Sequence, residues 1–211
     1  MQTSPLGRVL GTLLLAAQVS CSGTSGNPYA SIGNPPLLQA RLHTVTLATD
    51  GPEVAEALQV KGYAPAQFTS NYPASNAVEA SLWSVPLAAV ENVTYYKAPA
   101  AGADVRVLKM ALAARAAPAD AAVEKAFFRN VLGSDVPQVP ADVDRAANAR
   151  VQAWTYVIPN VRDASKRLRE GGIPVVFDPV AITTAYLGDH KAMAIRAPDG
   201  TIVELVETAA Q

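Results

Sequence analysis

The feature of this 211-residue chain that most constrains its fold is an internal repeat. A short apolar strand, a polar turn, an amphipathic helix and a glycine stop run from His43 to Gly62, and the same order recurs without a gap from Ala153 to Gly172. An offset of 110 residues places Asp50 on Asn160, Val54 on Ala164, Leu58 on Leu168 and Gly62 on Gly172. A β-hairpin with a basic-Ala-Pro step follows each copy, through Lys97-Ala98-Pro99 in the first and Arg196-Ala197-Pro198 in the second. A strand, a helix and then further strands, duplicated, is an architecture with a cavity between its halves.

The elements follow from local chemistry. Leu42 to Leu47 is apolar and β-branched, as a buried strand requires. Asp50 is placed to cap a helix that carries Pro52 in its first turn and Val54, Ala57 and Leu58 on one face. Asn92 to Lys97 and Val105 to Met110 bracket a Gly-containing loop and read as a hairpin. Between Ala64 and Ser81 the pattern is weak, with a turn at Asn71-Tyr72-Pro73 and one short strand at Gln67-Phe68-Thr69. Residues 112–150 form an alanine-rich connector with one helix from Asp120 to Leu132. In the second module Trp154 to Ile158 is a strand and Asn160 caps a helix stopped by Gly171-Gly172. Three strands follow, Ile173 to Phe177, His190 to Arg196 and Thr201 to Glu207, the last two joined by the turn Ala197-Pro198-Asp199-Gly200. The expected fold class is therefore α+β, two β-α-β-β-β modules forming cup-shaped mixed sheets around a cavity.

The first twenty residues stand outside this pattern. Arg8 precedes the apolar run Val9 to Ala17, which has the length of a signal peptide and is too short to span a bilayer. Cys21, the single cysteine, stands where the run ends and is followed by Ser22-Gly23-Thr24-Ser25-Gly26. This resembles a bacterial lipoprotein, although Gln18 occupies the position three before the cysteine where Leu, Val or Ile is usual. The expectation is a signal peptide over 1–20, lipidation at Cys21 with simple secretion as the alternative, and a flexible tether over 21–40. Localisation would then be periplasmic, anchored to a membrane. A single cysteine also forbids an intramolecular disulfide, so the exported domain must hold by packing. Seventeen basic against eighteen acidic residues, with no basic cluster, argue against a nucleic-acid partner.

The duplicated module and the ending Arg196-Ala197-Pro198-Asp199-Gly200-Thr201-Ile202-Val203-Glu204-Leu205-Val206-Glu207 resemble the vicinal oxygen chelate superfamily, which includes glyoxalase I, extradiol dioxygenases and the fosfomycin- and bleomycin-resistance proteins. The opening Arg41-Leu42-His43-Thr44 also looks like the first strand of glyoxalase I. The likeness covers residues 41–208: module one 41–111, connector 112–150, module two 151–208. In that superfamily a divalent metal is held by side chains of the first and last strands of each module, with open positions for a substrate's adjacent oxygens. The resemblance implies His43 and Glu204 as metal ligands, Glu204 as the catalytic group, and zinc, nickel, iron or manganese as the ion. It is compatible with a homodimer.

Two of the four ligand positions depart from that pattern. Ala153 stands where the second histidine belongs, with Gln152 beside it, and the first-module acid falls on Lys109 when Leu108-Lys109-Met110 is set against Val203-Glu204-Leu205. A lysine repels a divalent cation, so Lys109 is expected to pair with Glu204 across the cup in place of the metal. His43, Lys109, Trp154, Tyr156 and His190 are the expected ligand-binding residues. Each has a bland reading beside it: a hydrogen-bonded core histidine for His43, a solvated loop histidine for His190, an exposed strand residue for Lys109, a solvated strand end for Glu204 and plain core for the aromatics. Three functions follow. The first is an exported protein that binds a small molecule in the cup, needing no metal. The second is a lyase or dioxygenase of the glyoxalase or extradiol type using His43 and Glu204. The third is a non-catalytic envelope scaffold whose cup is filled by hydrophobic side chains.

Overall fold

The structure is a computed structural model, and it describes residues 26–66, 77–100, 102–112, 119–139, 143 and 149–208. The expected signal peptide, Cys21, the turn at Asn71 to Pro73 and the strand at Gln67 to Thr69 lie outside the described residues. The first module contains β1 (Arg41–Thr49), α1 (Glu53–Val60), β2 (Ala64–Pro65), α2 (Ala77–Leu82), β3 (Val90–Lys97) and β4 (Asp104–Met110). The connector holds α3 (Ala121–Phe127), which widens into a π-helical turn over Phe128–Leu132. The second module contains β5 (Arg150–Val157), α4 (Val161–Glu170), β6 (Val175–Thr184), β7 (Gly188–Arg196) and β8 (Ile202–Thr208).

All eight strands join one open sheet in the order β2-β3-β4-β1-β5-β8-β7-β6. The order reads outward in the same way from both sides of the β1–β5 seam, where the two modules pair antiparallel. Within each module the seam strand runs parallel to the module's last strand, β1 to β4 and β5 to β8. Two modules lie side by side in one mixed sheet, each β-α-β-β-β apart from α2 inserted in the first, which is the α+β class expected from the sequence.

Alternation along the strands sorts the side chains into two cores. Val45 and Leu47 of β1, Val105 and Val107 of β4, Trp154 and Tyr156 of β5 and Val203 and Leu205 of β8 face α1, α3 and α4. Ala48, Leu108, Met110, Ala153, Ile202 and Val206 face the other way, where Leu82 and Trp83 from α2 and the residue after it cover them. Burying a large apolar side chain fully contributes about 1.5–3 kcal/mol, so both cores stabilise the sheet and neither face is free.

The helix ends show which local signals held. Asn160 caps α4 by accepting from the Asp163 N–H at 2.9 Å, and Asp120 caps α3 by accepting from the Ala122 N–H at 2.7 Å. Asp50 does not cap α1: Pro52 occupies the N-cap position and no side-chain oxygen reaches the first turn. Gly62 and Gly172 both adopt positive φ, 83° and 73°, which explains the repeated glycine stop.

The expected tether over 21–40 is corrected for its described part. Residues 37–40 hydrogen-bond along the π-helical turn, from Leu37 N to Asn130 O at 3.0 Å, Leu38 N to Val131 O at 2.8 Å and Ala40 N to Leu132 O at 3.0 Å. Tyr29 packs edge-on against Phe127, and Leu38 is buried in the helix-side core. Pro and Gly content suggested a linker, but the apolar Tyr29, Leu37 and Leu38 find a groove to fill. Among the described residues no helix is long and apolar enough to cross a membrane.

Candidate functional site

The site is built where the four inner strands meet on the face covered by α2. On β1 and β4, Thr46 and Arg106 are Cα partners; on β5 and β8, Thr155 and Glu204 are. The internal symmetry relates the two pairs. The four side chains converge: Thr155 Oγ1 donates to Glu204 Oε2 at 2.7 Å, Arg106 donates to the same oxygen at 3.3 Å, and Arg106 also donates to Thr46 Oγ1 at 3.3 Å. Arg106 and Glu204 are 1% and 2% exposed, so this is a buried ion pair. Such a pair persists only when hydrogen bonds satisfy its remaining atoms, and here the threonine hydroxyls and an indole do so. One atom is left over: Arg106 Nε is buried without a hydrogen-bond partner among the described residues.

α2 closes the site from above. Trp83, just past its end, is completely buried. Its ring lies 4.4 Å from the Arg106 guanidinium carbon, and its Nε1 donates to Glu204 Oε2 at 3.4 Å. Gln152 donates to the Trp83 carbonyl at 2.9 Å and accepts from Arg150 at 2.8 Å. Ser84 then takes a left-handed conformation, φ 54°, which lets the Val85 N–H turn back to the Ala80 carbonyl and end the helix. Glu79 brings a second buried carboxyl, which accepts from Tyr95 Oη at 3.2 Å.

One guanidinium therefore pairs with Glu204 and acts at longer range on the carboxyl of Glu79. Burial pushes the Glu79 carboxyl up to about 7; Arg106 opposes that rise and the charge of Glu204 adds to it. For Arg106 burial opposes the charge, but the carboxyls of Glu204 and Glu79 and the hydrogen bond to Glu204 outweigh it and hold the guanidinium protonated. Burial also raises the Tyr95 phenol, which stays neutral and donates. Because the folded Glu79 retains its proton over a range where the unfolded chain, with the usual carboxyl value of 4.5, releases it, stability falls as pH rises from 4.5 to about 7. The expected loss across that window is about 3 kcal/mol, at 1.36 kcal/mol per unit. Glu79→Gln should flatten this part of the profile in denaturant titrations between pH 4 and 8; an unchanged slope would refute the assignment.

A second polar group ties the modules together at the edge of the site. Lys97 of β3 donates to Asp104 of β4 at 2.9 Å and to the Tyr186 hydroxyl at 3.0 Å, and Tyr186, in the β6–β7 turn, donates to Asp104. Tyr186 stacks on Tyr95 with 4.5 Å between centroids, and His43 meets the Tyr186 ring edge-on at 5.8 Å. Burial opposes ionisation of Asp104, but the hydrogen bonds from Lys97, Tyr186 and the Ala98 N–H outweigh it and hold this carboxyl low.

The expected site residues fall in three places. Glu204 lies at the centre. His43 sits at a β-bulge in β1, half-buried, with Nδ1 2.7 Å from Thr44 Oγ1 and its neutral form favoured by burial. It shares no bond with Glu204, whose Oε2 is taken by Thr155, Arg106 and Trp83. Lys109 does not pair with Glu204: it is 56% exposed and bridges to Glu91 at 2.9 Å. The alignment on Lys109 was three residues out, and an odd slip along a strand turns a side chain to the opposite face. Arg106 is the residue that meets Glu204. Trp154 and Tyr156 lie in the core on the helix-packed face, the Tyr156 hydroxyl 3.2 Å from Ser134 Oγ, so they do not line the site. His190 begins β7, is buried and bonds the Gly188 carbonyl at 2.9 Å, outside the central cluster.

The donor set does not fit a divalent metal. A guanidinium stands beside Glu204, and among the described residues no group of three or more His, Cys, Asp or Glu side chains is placed to hold an ion. A surface depression of about 400 Å³ lined by Gly33, Asn34, Pro36, Arg129, Gly133 and Ser134 lies by the N-terminal segment and shares none of these residues.

No family model matches the chain, and the search of curated proteins found no relative. Solved structures similar to it include methylmalonyl-CoA epimerase from Mycobacterium tuberculosis, at 13% identity and TM-score 0.47, covering 83% of this chain and 92% of that one. A mutant of 4-hydroxymandelate synthase from Streptomyces coelicolor matches at 9% identity and TM-score 0.49, covering 82% of this chain and 50% of that one. The Mn(II)-bound glyoxalase from Novosphingobium aromaticivorans matches at 13% identity and TM-score 0.43, over 82% of this chain and 41% of that one.

Proposed function

We propose that this chain binds a small molecule on the sheet face where its modules meet, and that it does so without a metal. The observation that supports this reading is the central quartet of Thr46, Arg106, Thr155 and Glu204, an ion pair with two hydroxyls at symmetry-related positions. Arginine supplies a fixed charge and directional N–H donors, and its unsatisfied buried Nε is a donor that a ligand oxygen would satisfy. The metal-dependent enzyme reading requires His43 and Glu204 in one ligand set, and these two side chains have different partners.

A thermal-shift survey of the purified chain across diverse metabolites and antibiotics tests the proposal. Ligands should raise the melting temperature to the same extent with and without a chelator, since binding to the folded state alone stabilises by mass action. Stabilisation that vanishes with the chelator would overturn the metal-free reading, and a survey with no hit would overturn binding itself. The latter result would favour the scaffold reading, whose support is that Leu82 and Trp83 already fill this face.

Export through the Arg8 to Ala17 segment and membrane anchoring at Cys21 complete the proposal. Metabolic labelling with radioactive palmitate should mark the chain and fail to mark Cys21→Ser. A chain that takes no label in the first case is not a lipoprotein.

A further inference from the structure

Trp83 is a core residue that meets the central ion pair directly. Its indole lies against a charged guanidinium, 4.4 Å from the ring centroid, and aims its N–H at a buried carboxylate 3.4 Å away. Beside it the sheet presents four fully buried alanines, Ala48, Ala153, Ala192 and Ala194, in the same cluster. Ala48 of β1, Ala153 of β5 and Ala192 and Ala194 of β7 are short side chains on the face that Leu82 and Trp83 cover. A flat wall, a cation to stack on and an acceptor for one ring N–H together describe the shape and chemistry of an aromatic ring site.

We propose that Trp83 is a built-in occupant, and that the molecule it stands in for is a planar heteroaromatic carrying a ring N–H. This rests on the small-molecule reading above and narrows its ligand class. The ring would stack on Arg106 and donate to Glu204, with Thr155 holding the carboxylate in place. Displacement of Trp83 is within reach of a ligand because α2 has six residues, well below the length at which a helix is stable alone, so its position depends on tertiary contacts. Ser84 adds to this: a non-glycine residue in the left-handed region is strained, and that strain is relieved when the segment leaves the site. A ligand ring must replace the packing and the hydrogen bond that Trp83 gives up.

Fluorine NMR of the full chain labelled with 5-fluorotryptophan tests the inference, because the sequence contains two tryptophans and they lie in opposite cores. Trp154→Phe assigns the lines, and Trp83→Phe assigns them by the other loss if the first variant fails to fold. Indole should move the Trp83 line and leave the Trp154 line in place. The probe 1-methylindole, which has the same ring but no N–H, should need at least a tenfold higher concentration. Equal potency of the two probes, or a Trp83 line that neither moves, overturns the inference. If non-planar compounds of the survey bind while planar ones do not, the small-molecule reading stands and this inference falls; if nothing binds, both fall.

Discussion

Replacing Arg106 by Ala is expected to lower the unfolding free energy by about 3–5 kcal/mol, among the largest effects of any single substitution in this chain. Among the described residues the guanidinium is the cation that pairs with Glu204, and its charge also opposes the rise of the Glu79 carboxyl. Its removal leaves both acids buried with no positive partner, and one of them must take up a proton or draw in water. The ring of Trp83 also loses the surface it stacks on. Chemical denaturation at pH 7 measures the loss. Paired replacement of Arg106 and Glu204 by apolar residues of similar size should recover much of it, since the cost arises from the orphaned charge and not from absence of the pair. Lys109→Ala serves as the control: its exposed bridge to Glu91 is screened by water, and the change should stay within about 0.5 kcal/mol. A small effect at Arg106, or a large one at Lys109, would mean that the central pair is assigned to the wrong residues.

Trp83→Ala should cost a similar amount, about 3–5 kcal/mol, for a different reason. Here the loss is of packing: an indole at 0% exposure is removed from above a wall of alanines that are too short to collapse into the space. The N–H to Glu204 goes as well, though that carboxylate keeps Thr155 and Arg106. Trp83→Phe separates the two contributions. It retains an aromatic ring over Arg106 and should cost about 2–3 kcal/mol, the worth of one hydrogen bond to a charged group plus some volume. For a domain of this size the alanine change should appear as a drop in melting temperature of roughly 6–20 °C. A neutral Trp83→Ala would show that α2 does not sit on the sheet in solution, and would remove the basis for an occupied site.

The cluster was only partly legible because strand faces depend on register. Helix stops and caps are local, so the offset of 110 correctly paired Gly62 with Gly172. The strands obey a different offset: Thr46 corresponds to Thr155, because the connection from strand to glycine is one residue longer in the second module. A single residue is invisible to a helical pattern but reverses every side chain in a strand. An offset of 110 therefore sets His43 against Ala153, whereas the slip of three residues that puts Lys109 in place of Arg106 lies in the separate alignment of β4 with β8. α2 went unread for another reason. Its buried face is Glu79, Leu82 and Trp83, at helical spacing but with an acid among the apolar positions, so periodicity gave no signal.

By itself the sequence determined the duplicated module, the order of its elements, the cap at Asn160, and Glu204 as the acid of the last strand. These rest on interactions within a few residues, or on apolar alternation that each strand carries alone. Tertiary structure alone decided which side chains meet Glu204, that Trp154 and Tyr156 turn away from the site, and that Trp83 fills it. Those outcomes depend on bulges, on the register across the β1–β5 seam and on a six-residue helix with no stability of its own. Each is a contact between segments distant in the chain, and its energy exists only once the sheet has formed.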